Sequence, residues 1–276
     1  MVLIKKILKK LKKQFTLEKI VPIKVPVLEG HYLNNHVAFI TGGTGGIGFA
    51  IAKRFSENGC KVIISGTNEQ RLKCASEQIE NSSFVVLDMM DIDHMANDLE
   101  NELNKILDGE KIDILVNCAG THGKSDFWTT TPEDWDMVMN VNLKGMYFMC
   151  QYFASYMRKN QIKGHILNIS SASALKPGKT PYEISKNGVR SMTLGLAAEL
   201  IRYGIVVNCL APGPTATKMI QKEEDSLNWS ANPTGRVATV DEIANWAVLL
   251  VSHMGDYVVG DSFYVTGGSG TICIDK

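Results

Sequence analysis

The chain has no net charge, with 29 Lys plus Arg against 29 Asp plus Glu over 276 residues, so no global field draws it to nucleic acid. Its six cysteines form no Cys-x-x-Cys pair and have no accompanying His pair, which argues against a zinc site. Cys118 and Cys209 lie inside apolar, strand-like runs, where a small buried hydrophobe is the expected role. Free thiols and a cytoplasmic setting follow. No apolar run reaches the roughly 18 residues that span a bilayer, and no signal-peptide pattern opens the chain. With 45% hydrophobic and 21% charged residues, disorder and fibrous repeats are excluded. The length fits one large α/β domain and would cramp two.

What is present begins with an unusual N-terminus. Residues 1–30 hold eight lysines against two glutamates, a net of +6. Ile4, Ile7, Leu8, Leu11 and Phe15 recur at helical spacing, predicting an amphipathic helix with lysine on its other faces. Pro22 and Pro26 end it in an extended linker, because proline lacks an amide hydrogen and restricts the residue before it. The domain reading is therefore an arm over 1–30 and a folded domain over 31–276. The arm's pattern suits peripheral contact with an anionic membrane surface; packing within an oligomer is the plainer alternative.

From about Asn35, short β-branched runs alternate with helix-period segments. Seven strands are expected, within HVAFIT, KVIIS, SFVVLD, DILVNC, GHILNIS, GIVVNCL and DSFYVTG. Helices are expected over 47–55, 68–79, 91–107, 132–157, 181–202 and 240–251. Nearly continuous apolar strands separated by helices predict a parallel sheet covered on both faces. The fold class is α/β, a single doubly wound, seven-stranded Rossmann-type sheet.

The first strand runs into Thr41-Gly42-Gly43-Thr44-Gly45-Gly46-Ile47-Gly48 and then a helix. Glycines allow the sharp turn and bring backbone amides toward a pyrophosphate at the helix N-terminus. Tyr182 and Lys186 are four apart, which places phenol and ammonium one turn apart on one helix face. A nearby cation favours an ionised phenol, whereas a free tyrosine is a poor base at neutral pH.

The Thr-Gly-x-x-x-Gly-x-Gly spacing together with Tyr-x-x-x-Lys resembles the short-chain dehydrogenase/reductase family, with a pattern similar to 3-oxoacyl-carrier-protein reductases. The resemblance runs from about Asn34 to Gly268. It implies an NAD(P)-dependent oxidoreductase that interconverts a carbonyl and a secondary alcohol, with Tyr182 as acid/base and Lys186, Ser171 and Asn142 as its companions. Ser171 would hydrogen-bond the reacting oxygen, and Asn142, with Asn140 the weaker candidate, would hold a water that links Lys186 to solvent. Ser171 precedes Tyr182 by eleven residues, a shorter loop than is usual in the family, and Ser173 is its alternative. A non-catalytic nucleotide-binding relative is the rival reading, although such relatives commonly lose the tyrosine or lysine.

The resemblance also implies cofactor contacts. Thr41, Gly42, Thr44, Gly46, Ile47 and Gly48 belong to the glycine turn, and Gly66, Thr67 and Asn68 follow the second strand. Asp88 and Met89 follow the third, and Asn117, Ala119 and Gly120 the fourth. Pro212, Gly213, Thr215 and Thr217 form a Pro-Gly turn beside the nicotinamide, opening a substrate loop over roughly 214–233. Gly66 stands where NAD-specific relatives carry an acid, so NADP(H) is preferred and NAD(H) is possible. His122, Phe127, Trp128, Leu175, Met219 and Trp229 are expected to line the substrate pocket. A small-molecule substrate, no nucleic acid, no metal and a homodimer or homotetramer complete the expectations.

Overall fold

The computed structural model describes residues 30–123, 126–217 and 227–272. The arm over 1–29 therefore lies outside the described residues.

The chain runs β1 (Val37–Thr41), α1 (Gly46–Glu57), β2 (Lys61–Gly66), α2 (Glu69–Ser76), β3 (Ser82–Val86), α3 (Ile92–Ile106) and β4 (Ile114–Asn117). It continues through α4 (Pro132–Met139), α5 (Met146–Lys159), β5 (Gly164–Ile169), α6 (Pro181–Leu200), β6 (Ile205–Pro212), α7 (Val240–Val251) and β7 (Ser262–Val265). All neighbours pair in parallel in the order β3-β2-β1-β4-β5-β6-β7. The seven-stranded, doubly wound sheet expected from the alternation is what forms.

Side chains alternate across each strand, so one sheet feeds two cores. Ala38, Ile40, Val62, Ile64 and Val116 pack with α1, α2 and α7. Val37, Phe39, Ile63 and Leu115 pack with α3, α5 and α6. The strand order reverses between β1 and β4, which opens a crevice at their C-terminal ends. Thr41 and Asn117 are register partners there.

The helix expected over 68–79 closes early, at Ser76, and two further boundaries change. The helix expected over 132–157 is interrupted by a π-helical turn at Asn140–Gly145. Gly145 makes this turn possible: a Cβ there would stand 2.4 Å from the Met89 carbonyl oxygen. The helix expected to reach Arg202 stops at Leu200, tightens into a 3₁₀ turn over Ile201–Tyr203 and ends at Gly204 with φ +74°, the left-handed stop that glycine favours.

The opposite end of the sheet carries a charged cluster. His36 Nδ1 lies 2.6 Å from Asp113 Oδ2, and Asp113 Oδ1 accepts from Val37 N at 3.0 Å. The Asp113 hydrogen bond raises the His36 pKa above 6.5, against burial, with help from the charges of Asp113 and Asp256. A raised folded-state pKa means stabilisation that is complete below about 6.5 and lost as pH rises through the folded value. Comparing wild type with His36→Gln should therefore show the larger Tm deficit at pH 5.5 and a smaller one at pH 8.5. Burial pushes His165 the other way, and the His36 charge is a smaller cause in the same direction, so the comparison reads the net of the two. An equal deficit at both pH values would refute the ion-pair account.

Candidate functional site

Thr41, buried at the end of β1, uses Oγ1 to accept from Cys118 N at 3.0 Å and Ala119 N at 3.1 Å. This ties the exit of β4 to the glycine turn. Gly42 has φ +69°, and a Cβ there would meet the Ala119 backbone at 2.8 Å. A Cβ on Gly48 would come within 2.3 Å of the Gly42 carbonyl oxygen. The N-cap of α1 is Gly45, with no side-chain cap, so first-turn amides have no side-chain acceptor. That cradle of uncapped amides fits a phosphate group.

At the outer end of the crevice Gly66 is half-buried, while Thr67 and Asn68 are exposed. Asn68 caps α2, accepting from Arg71 N at 2.9 Å, so its carbonyl oxygen is already used. Arg71 reaches back to donate to the Thr44 carbonyl at 3.3 Å, which sets a guanidinium beside the glycine turn. Thr44 and Ile47 are both half-buried in that turn. Asp88 is exposed and accepts from Met90 N at 2.9 Å, whereas Met89 is buried.

Beyond β4 the chain meets the buried polar groups. Asn117 Nδ2 donates to Asn168 Oδ1 at 2.9 Å and to Cys150 Sγ at 3.2 Å, so its amide group is engaged inside the protein. Its Oδ1 is buried with no partner among the described residues. Gly120 lies where a Cβ would stand 3.3 Å from Asn142 Oδ1 and 3.6 Å from Lys186 Nζ, which brings these three residues together.

Asn142 sits in the π turn, fully buried. Its Oδ1 accepts from Thr121 N at 2.8 Å, and its Nδ2 donates to Thr121 O at 2.8 Å and Ser185 Oγ at 3.1 Å. Both amide hydrogens are thus spent within the protein. The side chain thereby clamps the segment that leaves β4. The extra residue of the π turn is what the periodicity could not reveal.

Helix α6 begins with a capping box at Thr180 and Glu183 and with Pro181 in its first turn, which fixes Tyr182 at the mouth of the crevice. Lys186 is only 5% exposed, and its Nζ donates to the Ile169 carbonyl at 2.9 Å. The ammonium lies 5.8 Å from the Tyr182 ring centroid. Ser170 is turned inward, donating to Lys186 O at 2.9 Å. Ser171 is half-buried and accepts from Ser173 N at 3.1 Å, capping the 3₁₀ turn Ala172–Leu175. The described cysteines are free. Burial pushes the Cys118 thiol up to about 12 against the pull of Lys186, so it is no nucleophile at neutral pH.

The last wall is the Pro-Gly turn. A Cβ on Gly213 would meet Thr266 backbone at 2.7 Å. Thr215 is buried and donates from Oγ1 to Gly213 O at 3.0 Å. A Cβ on Gly46 would stand 2.8 Å from Thr217 Cγ2, so this turn and the glycine turn face each other across the crevice. Met219, with 218–226, lies outside the described residues. Phe127 and Trp128 pack edge to face at 5.1 Å but are 64% and 87% exposed.

A family model described as enoyl-(acyl carrier protein) reductase matches residues 42–270. A hydroxy(phenyl)methylsuccinyl-CoA dehydrogenase subunit of Thauera aromatica is 36% identical over 242 residues, covering 86% of this chain and 97% of the relative. A 3-oxoacyl-(acyl-carrier-protein) reductase of Chlamydia muridarum is 36% identical over 243 residues, with 86% and 98% covered. Among solved structures, a gluconate 5-dehydrogenase of Burkholderia cenocepacia, in complex with NADP and tartrate, aligns with TM-score 0.80 and 30% identity, over 88% of this chain and 98% of that one. With the glycine cradle, the buried lysine beside its tyrosine and the switch-point crevice in one sheet, the chain belongs to the short-chain dehydrogenase/reductase family.

Proposed function

We propose that the protein is an NAD(P)-dependent dehydrogenase/reductase that interconverts a ketone and a secondary alcohol, with Tyr182 as acid/base and NADP(H) as the preferred cofactor. The observation that carries this reading is the Lys186 ammonium, buried and held on Ile169 O, within 5.8 Å of the Tyr182 ring. The nicotinamide cofactor, when bound, supplies or accepts the hydride. The chain does the rest. Uncapped amides at the start of α1, with Gly42, Gly46 and Gly48, hold the phosphates, and Arg71 beside Thr44 meets additional negative charge. Lys186 sets its ammonium beside Tyr182, whose phenol gives and takes the proton in this reading. In the reductive direction Tyr182 Oη delivers that proton to the substrate oxygen. Ser171, whose Oγ accepts from Ser173 N, retains its own hydrogen to donate to the same oxygen as negative charge develops there. Asn142 holds Thr121 through its main chain, beside Gly120 and Lys186.

Purified protein should consume NADPH with at least one member of a panel of acyl, sugar and cyclic ketones. NADPH binding without turnover of any of them would favour a nucleotide-binding regulatory role. A small-molecule substrate and a homo-oligomer are part of the same proposal.

The lysine-rich arm is proposed as a reversible, salt-sensitive contact with anionic lipid, each lysine adding about 1 kcal/mol at most. No described helix is long and apolar enough to cross a membrane. Deleting residues 1–30 should leave an active enzyme and abolish sedimentation with phosphatidylserine vesicles at low salt. If the full chain stays in the supernatant, the membrane role is wrong.

A further inference from the structure

The segment leaving β4 carries a histidine that the chemistry above does not use. Asn142 grips Thr121 through both its main-chain N and O, each at 2.8 Å. Two residues on, Gly123 turns with φ +73°, and a Cβ there would stand 3.0 Å from Val138 Cγ2. Between these fixed points the His122 ring lies 4.4 Å from the Tyr182 ring, with the planes 33° apart. The two rings are therefore held against each other by main-chain anchors as well as by ring contact. His122 is otherwise exposed, so one edge of this pair faces the crevice mouth or solvent.

Its protonation pattern follows from its neighbour. Nδ1 lies 3.3 Å from the Gly123 carbonyl oxygen, and a carbonyl only accepts, so Nδ1 carries the hydrogen. The neutral ring then presents Nε2 as an acceptor. Among the described residues Nε2 has no hydrogen-bond partner. An acceptor fixed beside the proton donor calls for a hydroxyl or amine donor on the part of the substrate next to the reacting carbon.

We infer that His122 is a specificity-determining residue that selects ketones bearing a hydroxyl on the carbon next to the carbonyl. The inference rests on Tyr182 being the group that protonates the carbonyl oxygen. A ring stacked on that tyrosine reaches the adjacent substituent, and a methylene there would displace water from Nε2 without replacing its hydrogen bond. His122 thereby discriminates by an unmet acceptor as well as by a made bond.

The test compares two ketones that differ by one hydroxyl, 3-hydroxy-2-butanone and 2-butanone, using the full-length protein and NADPH. Wild type should favour the hydroxy ketone in kcat/KM by about tenfold. His122→Phe keeps a ring against Tyr182 but removes the acceptor, so kcat/KM should fall several-fold more for the hydroxy ketone than for 2-butanone, and most of that ratio should be lost. His122→Gln restores an acceptor and should recover part of the preference. An unchanged ratio in His122→Phe, or equal losses on both ketones, overturns the inference while leaving the catalytic reading intact. Failure of wild type to reduce either ketone or any member of the wider panel overturns the catalytic reading and this inference with it.

Discussion

Tyr182→Phe is expected to fold, bind NADPH normally and lose turnover by at least about 10² to 10⁴, the range a positioned acid or base supplies. The substitution removes one oxygen and nothing else that the structure uses. The ring contact with His122 remains possible, the capping box at Thr180 and Glu183 is untouched, and Lys186 still donates to Ile169 O. A fall in kcat with little change in cofactor Kd or Tm is therefore the signature of a lost proton donor rather than a damaged site. Lys186→Ala makes the contrast. It deletes a buried ammonium and leaves the Ile169 carbonyl short of its partner, so both turnover and cofactor affinity should suffer. Near-normal kcat in Tyr182→Phe would remove Tyr182 from the mechanism.

The juxtaposition of Tyr182 and Lys186 was legible in the sequence because it is local: four-residue spacing and a capping box place both residues without knowledge of the rest of the fold. The sheet was legible for a similar reason, since each strand is a continuous apolar run and each helix shows its period. Long-range consequences were not. Nothing local announces that Asn142 lies in a π turn, because the extra residue is admitted by Gly145 fitting against Met89, more than fifty positions away. The amide's engagement with Thr121 likewise depends on how α4 and the turn meet the exit of β4. His122 could be named as a pocket residue from its place after Asn117-Cys118-Ala119-Gly120, but its contact with the Tyr182 ring belongs to the assembled crevice. Arg71 is the converse case: the sequence already offers it, with Thr67 and Asn68, as a candidate donor beside Gly66, and only the fold shows its guanidinium donating to Thr44 O.

That arginine and the residue at the end of β2 decide the last expected result: Gly66→Asp should shift cofactor preference from NADPH toward NADH, lowering kcat/KM for NADPH by about a hundredfold. Gly66 is not a conformational necessity in the way Gly42 is. A Cβ there would have Leu72 Cδ2 at 3.7 Å and Thr44 Oγ1 at 3.8 Å as its nearest neighbours, ordinary contacts without strain. The residue's main-chain role, accepting from Leu87 N at 2.8 Å, is open to any amino acid. A carboxylate at this position repels a 2′-phosphate, and like charges in close apposition cost several kcal/mol. It also offers an acceptor to the free ribose hydroxyls of NADH and competes for the Arg71 guanidinium now held by Thr44 O. Arg71→Ala should act on one side only, weakening NADPH while sparing NADH, since an NADH ribose brings no phosphate for the guanidinium to meet. Steady-state kinetics with both cofactors on the three proteins separates these effects. A wild type that already favours NADH, or a Gly66→Asp variant with an unaltered NADPH-to-NADH ratio, would show that the end of β2 does not read the 2′ position.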